Sequence, residues 1–430
     1  MHQNHRRVAR GVVSVATFVL VSKFIGAVKE MALAQRYGIS REVDAYLLAF
    51  NLVTWLPTVL WAVGSLTLVP TLVALIKQQE ERRFLAELNG TTIQLGLLTT
   101  AMVVTLGTAV IGLIVRSWDA SAQELARAFV WQLALAGLML VLSASLSIRL
   151  QAREKQGYTL LEAMPSLGVL GFVALIPSSG PGPLIWGTLT GAVAQLGLLV
   201  LMVQRAGALG QWVTFRRSSP YWSYAYIYFS VVFVGQIAAS MVAPMDNVFA
   251  AQLGKGAVAT LGYATRLIAL ATGLAATAIG RALLPVLAGV VAKGDLKLGR
   301  AHVLQWAKLA AIGSGLVTIL GWIAAPTVVT LVFQRGAFTA EDAAVVARVF
   351  RFALLQLPFY CFGIALVQWF AATRRYSVLT GTAVLGVLVK FALNVLFTRL
   401  LGVAGIALAS AGLYLFTSVA LLVMARRGQV

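Results

Sequence analysis

The chain is poor in the residues from which most soluble activities are built. Of its 430 residues only 14 are acidic, three are histidine and one is cysteine. A lone cysteine, Cys361, leaves no disulfide framework and no thiolate metal site, and His2, His5 and His302 are too dispersed to ligate a metal together. No G-x-x-x-x-G-K-[ST] loop occurs, so nothing in the sequence binds a nucleotide triphosphate in that way. Charged residues make up 11% of the chain and hydrophobic ones 60%. Soluble domains run to roughly a quarter charged and half apolar. A soluble fold is therefore excluded.

What is present is a succession of apolar runs, each long enough for a hydrocarbon core of about 30 Å, which takes about 20 helical residues. The hydropathy pattern predicts helices at 8–35, 43–76, 88–115, 124–150, 158–177, 183–205, 223–253, 256–291, 300–333, 341–373, 376–399 and 402–425. The first run is too long for a signal peptide and is followed by Lys23, Lys29 and Glu30, so it is expected to stay in the mature chain. Pro57, Gly64 and Pro70 in the second helix, and Gly273, Gly280 and Pro285 in the eighth, predict bends or breaks there.

The formal charge of +20 does not point to nucleic acid, because the cations lie between hydrophobic spans. Alternate loops hold nineteen basic residues against seven, the richer set including Arg6, Arg7, Arg82, Arg83, Arg149, Arg153, Arg216, Arg217, Arg300 and Arg426. The positive-inside rule then places both termini in the cytoplasm and requires an even number of helices. Residues 80–87 read as a short solvated amphipathic segment. Tyr221, Trp222, Tyr224, Tyr226 and Tyr228 read as an interfacial belt.

An internal duplication runs at an offset near 217 residues: Ala34-Gln35 recurs as Ala251-Gln252, Tyr46 as Tyr263, Leu68-Val69-Pro70 as Leu283-Leu284-Pro285, and Leu167-Gly168-Val169-Leu170 as Leu385-Gly386-Val387-Leu388. Six helices separate the copies, so the repeats are parallel. The expected fold is an all-α polytopic membrane protein of about twelve helices, in two pseudo-symmetric six-helix lobes around a central cavity. Residues 1–205 form the first lobe, 206–222 a cytoplasmic linker and 223–430 the second.

Charges within spans cost at least about 2.5 kcal/mol on insertion scales and usually face a bundle interior. They are Lys23, Lys29 and Glu30 in helix one, Asp44 at the mouth of helix two, and Asp246, Arg266, Arg281, Arg348, Arg351 and Lys390 in the second half. Cations prevail, which suits an anionic substrate such as a pyrophosphate head group. Lys29, Arg281 and Arg348 lie near helix ends, where snorkelling to the interface competes with a cavity role. Lys23, Arg266 and Lys390 lie deeper. Asp246 either pairs with Lys390 or binds a coupling Na⁺ or H⁺. Lys29 and Glu30 are adjacent, so they point to different parts of the helix and no direct pair is expected.

These residues resemble the MurJ/MviN family of the multidrug/oligosaccharidyl-lipid/polysaccharide exporter superfamily. Val21 to Glu30 is similar to that family's first-helix pattern, Val43-Asp44-Ala45-Tyr46 to its start of helix two, and Leu68-Val69-Pro70 to its Phe-Val-Pro. Tyr263-Ala264-Thr265-Arg266-Leu267 and Phe333 to Thr339 are further matches. Lysines stand at both first-helix arginine positions, residues Thr58 to Trp61 replace the family's arginine pair in helix two, and Asp246-Asn247 replaces its Asp-Arg. With about twelve spans predicted, the family's further pair of C-terminal helices is not expected among these residues.

The resemblance implies a flippase of the bacterial inner membrane, not an enzyme, carrying undecaprenyl-pyrophosphate-linked saccharides by alternating access, with lipid II or a related cell-envelope glycan as cargo, or in the alternative an exopolysaccharide repeat carried by a paralogue that does not act on lipid II; a monomer is expected. It implies substrate contacts at Lys23, Lys29, Asp44 and Arg266, beside Arg351 from the charge argument, with no cofactor and no catalytic or metal residue. Energy is expected from an ion gradient, the membrane potential or product consumption. A cation-coupled drug exporter would need a carboxylate-rich cavity, and a membrane transferase a catalytic histidine or acidic cluster.

Overall fold

A computed structural model describes residues 2–78, 81–155, 157–177, 180–210, 213–292, 295–373 and 375–426, and all regular structure among them is helical. The first half comprises α1 (His2–Tyr37), α2 (Arg41–Gln78), α3 (Glu81–Met102), α4 (Thr108–Ile114), α5 (Ala120–Ala152), α6 (Tyr158–Leu161), α7 (Met164–Leu175) and α8 (Gly182–Arg205). A π-helical turn, Val103–Gly107, joins α3 to α4. The second half comprises α9 (Tyr221–Ser240), α10 (Val242–Ala251), α11 (Ala257–Ala292), α12 (Leu296–Phe333), α13 (Ala340–Leu354), α14 (Gln356–Ala372), α15 (Tyr376–Leu401) and α16 (Val403–Arg426). Among the described residues these make eleven crossings long and apolar enough for a membrane. Helix α1 adds 36 residues, and in its run 11–28 Lys23 is the single charge, so it has the length and composition of a twelfth.

Three crossings are interrupted, each four residues before a proline. Helix α6 ends at Leu161 before Pro165, α9 at Ser240 before Pro244 and α13 at Leu354 before Pro358. Proline brings no N–H to the carbonyl four residues back, and its ring clashes with that carbonyl. The expected breaks in the second and eighth crossings are absent, since α2 and α11 run unbroken over 38 and 36 residues. Helix α5 packs on α2 on either side of Pro57, Gly137 against Val53 and Ile148 against Gly64, and α2 continues through both prolines.

Where prolines free a carbonyl, side chains replace the missing donor. Pro326 sits inside α12 and frees the carbonyl of Trp322, which accepts from Arg351 Nε of α13 at 3.0 Å. Pro358 frees the carbonyl of Leu354, which accepts from Thr318 Oγ1 of α12 at 3.1 Å. The two helices thus lace each other reciprocally. A buried carbonyl without a donor would cost about 1–3 kcal/mol.

The chain divides into two compact units, residues 1–37 with 41–236 and residues 38–40 with 237–430. The boundary falls inside α9, and residues 206–222 belong to the first unit. Inside the first unit α2 and α3 pack on α5, α5 on α8, α7 on α8 and α1 on α7. Inside the second, α11 and α12 pack on α14, α14 on α16, α15 on α16 and α10 on α15. The neighbour pattern repeats, as the duplication requires. The duplicated Tyr46 and Tyr263 are both buried, at 1% and 0% exposure. Glycines bring backbones together at matching places: Gly168, Gly187 and Gly191 leave no room for a Cβ between α7 and α8, nor does Gly405 against Phe397 between α15 and α16.

Candidate functional site

Helix α1 runs parallel to α6 and α7. Ser22 Oγ donates to the Thr159 carbonyl at 3.0 Å, Tyr37 Oη to that of Gly180 at 3.1 Å, and the Arg36 guanidinium to the last carbonyls of α7, Val173 and Ile176. A cation at that helix end meets both the unpaired carbonyls and the dipole. Alignment against α7 positions the two lysines of α1. Lys23 is exposed, six residues and about 9 Å of helix rise before Lys29. Its electrostatic partner is Glu162, at the break between α6 and α7.

Lys29 is buried and lies 2.9 Å from Glu30 Oε1, with its ammonium 5.8 Å from the Phe50 ring of α2. A pair between these neighbours was not expected. Their long side chains curl together because, at 5% and 3% side-chain exposure, neither has water to turn to. Asp44 is fully buried in the first turn of α2, where the helix dipole favours an anion. Arg41 reaches Asp44 at 3.9 Å and Asp119 at 4.0 Å, and stacks 4.4 Å from the Trp118 ring. Asp119 caps α5 by accepting from Ala122 N, and the start of α2 is thereby tied to the start of α5. The Ser121 hydroxyl, then the Ala122 amide, hold the Asp119 carboxyl below its ordinary range.

In the second unit the buried charges converge. Lys390 Nζ lies 3.0 Å from Asp246 Oδ1, and donates to the Ile406 carbonyl at 3.0 Å and to Ser410 Oγ at 2.7 Å. Asn394 Nδ2 donates to the same Asp246 oxygen at 2.9 Å. Lys390 and Asn394 are fully buried. Three oxygens meet the three N–H bonds of the ammonium, which is a complete set. Asn394 and Ser410 escaped the sequence reading because neither is charged, although Asn394 stands one helical turn after Lys390. Arg266 lies exposed on α11, and Arg351 is half-buried with its Nε committed to α12 and its guanidinium 6.0 Å from the Trp322 ring. Arg348 is exposed, and the side chain of Arg281 lies outside the described residues.

The segment expected as a solvated amphipathic helix is helical but not wholly solvated. Residues 79 and 80 lie outside the described residues, and from Glu81 onward the chain is already α3. Glu87 is 1% exposed and accepts from Trp222 Nε1 at 2.6 Å, Ser218 Oγ at 3.0 Å, Ser219 N at 3.2 Å and Ser218 N at 3.3 Å, with Arg83 Nε at 3.4 Å. Trp222, expected in an interfacial belt, is buried against this carboxylate; the side chains of Tyr224, Tyr226 and Tyr228 lie outside the described residues. Arg149, counted from sequence among loop cations, is 1% exposed and donates to the carbonyls of Ala208 and Leu209 at 3.4 and 3.1 Å. Arg153 binds Glu81 at 2.7 Å. Residues 206–210 and 213–220 are thus strapped across the ends of α3 and α5. Among the described residues, no three His, Cys, Asp or Glu side chains gather as a metal site.

Residues 33–430 match the family model of the lipid II flippase MurJ. The chain belongs to the MurJ family. The match takes in Asp44, Asp246, Arg266, Arg351 and Lys390 and begins after Lys23 and Lys29. Among MurJ relatives, the probable lipid II flippase MurJ of Helicobacter pylori J99 is 31% identical over 188 residues, which is 43% of this chain and 40% of that protein. The chain therefore spans well under half the length of that relative. The probable lipid II flippase MurJ of a Synechocystis strain is 25% identical over 438 residues, covering 95% of this chain and 79% of the relative. The solved structure described as lipid II flippase MurJ in an inward closed conformation superposes with a TM-score of 0.84 at 17% identity, over 96% of this chain and 87% of the other. At that identity the likeness shows the MurJ fold in a polytopic membrane protein.

Proposed function

We propose that the chain moves an undecaprenyl-pyrophosphate-linked saccharide, lipid II or a related cell-envelope precursor, from the cytoplasmic to the outer leaflet. The observation that carries this reading is the family match over 33–430, joined to an excess of cations over acids at the positions named above. Lys23 and Arg266 are exposed, so they are the cations we assign to the pyrophosphate. A lysine offers a point charge where an arginine offers a fork, so Lys23 grips phosphate without fixing its orientation. The glycan cannot cross bare hydrocarbon, because each unsatisfied hydroxyl costs several kcal/mol there. The lipid tail stays in the bilayer.

The two units rock in alternating access, both termini face the cytoplasm, and the monomer is the working form. Lys390 already gives Asp246 its cation, so energy is taken from the membrane potential or proton movement rather than from a sodium ion held by Asp246. Reconstitution into liposomes with lipid II and with a lipid-linked exopolysaccharide repeat tests the reading. Translocation of lipid II above the level of empty vesicles, reduced by Lys23→Ala and Arg266→Ala and unchanged when choline replaces sodium, is the expected result. No transport of either lipid refutes the flippase, and transport of the second lipid alone reassigns the cargo.

A further inference from the structure

The first unit holds a slot of about 190 Å³ between α2, α3, α5 and the first turns of α9. Leu60 and Leu68 of α2, Leu88 and Leu95 of α3, and Val141 and Ile148 of α5 give it aliphatic walls. Its wall hydroxyls are already engaged, Thr92 Oγ1 donating to the Leu88 carbonyl at 2.7 Å and to Ser145 Oγ at 3.0 Å. Charge enters through one residue, Arg217, which lines the slot beside Thr91 and Trp222. Its Nε donates to Thr91 Oγ1 at 3.2 Å and its Nη2 to Gln94 Oε1 at 3.0 Å, with the guanidinium 5.9 Å from the Trp222 ring. The slot is apolar along its length and cationic where the linker crosses it.

The strap above the slot has the chemistry of a hydrocarbon–headgroup boundary. Val213 and Phe215 are 52% and 58% exposed and stand next to exposed Arg216 and Arg217, at the end of a bundle of membrane-crossing helices. Exposed apolar side chains beside arginines at such a place are stable only if the former meet lipid and the latter meet head groups. Arg83, Arg216 and Arg217 outnumber the buried Glu87 there, leaving an excess of positive charge.

We propose that the slot takes one acyl chain of an anionic phospholipid from the leaflet on the linker side, with its phosphate against Arg217. Charge complementarity selects this occupant over a zwitterionic lipid, and the slot's apolar length selects a lipid over free phosphate. The bound lipid braces the strap that Glu87 clamps. Nothing in this depends on which glycan is carried.

Thermal unfolding of the full chain in detergent, with phosphatidylglycerol or phosphatidylcholine of identical chains, tests it. Phosphatidylglycerol should stabilise at the lower concentration. Arg217→Gln should raise its half-effective concentration about fivefold to tenfold, since an arginine at a lipid head is worth about 1 kcal/mol or more, and leave phosphatidylcholine unaffected. Arg217→Lys should keep most of the preference, which a purely structural role of the guanidinium fork would not. Ala144→Phe, which fills the slot, should weaken both lipids. Full preference in Arg217→Gln, or no effect of Ala144→Phe on either lipid, overturns the proposal. So does stabilisation by undecaprenyl phosphate without any by phosphatidylglycerol.

Discussion

Replacing Lys390 by methionine isolates the buried charge cluster of the second unit. Methionine keeps most of the stem but removes the bonds to Asp246, the Ile406 carbonyl and Ser410, at 3.0, 3.0 and 2.7 Å. Asp246 is then left with the Asn394 amide, at 9% exposure. Removing one partner of a buried pair strands the other and costs about 3–5 kcal/mol. Asp246→Leu alone should cost a similar amount, since Lys390 would keep only neutral acceptors. The double variant, Lys390→Met with Asp246→Leu, should recover most of the loss, because an apolar pair of similar volume replaces the ions. Reversible denaturation in mixed micelles, followed by tryptophan fluorescence, gives the three free energies and the coupling. Single losses below about 1 kcal/mol, or a double variant equal to the sum of the singles, would refute the account.

Three further outcomes follow from contacts described above. Arg351→Met should cost about 1–3 kcal/mol by freeing the Trp322 carbonyl, and less in a Pro326→Ala background, where α12 supplies its own N–H; the same denaturation cycle measures both. Glu87→Ala removes the acceptor of the hydrogen bonds from Ser218, Ser219 and Trp222, and limited proteolysis should cut within 213–220 several-fold faster than in the native chain. Asp119 has its carboxyl held low by Ser121 and Ala122, so its contribution is present above the unfolded carboxylate value and disappears as pH falls through the lower folded one. Asp119→Asn should therefore match the native chain at acid pH and fall below it at neutral pH in a thermal-melt series.

The positions of the crossings were legible because hydropathy over about 20 residues is set by the solvent alone. The duplication was legible because Tyr46 and Tyr263 fill equivalent buried places. Helix breaks were not, since proline content does not decide them. Pro326 leaves α12 unbroken, whereas the prolines at 165, 244 and 358 each end a helix four residues earlier, although the carbonyls freed by Pro326 and Pro358 both find a side-chain donor on another helix. Partners of buried charges were only half legible for the same reason. Asn394 meets Asp246 across 148 residues, and no local period carries that information. Glu87 read as a solvated residue because its hydrogen-bond donors at 218, 219 and 222 are likewise distant in sequence.

Asp246 stands 217 residues after Lys29, at the matching place in the duplicated pattern, with the opposite sign. One repeat unit neutralises its cation with Glu30 and the other its anion with Lys390. The ion pairs at Arg41, Arg83 and Arg153 likewise join residues of a single unit. Each of these pairs thus closes within one unit. Displacing one half as a rigid body pulls none of these pairs apart, and so requires no Coulomb work against them.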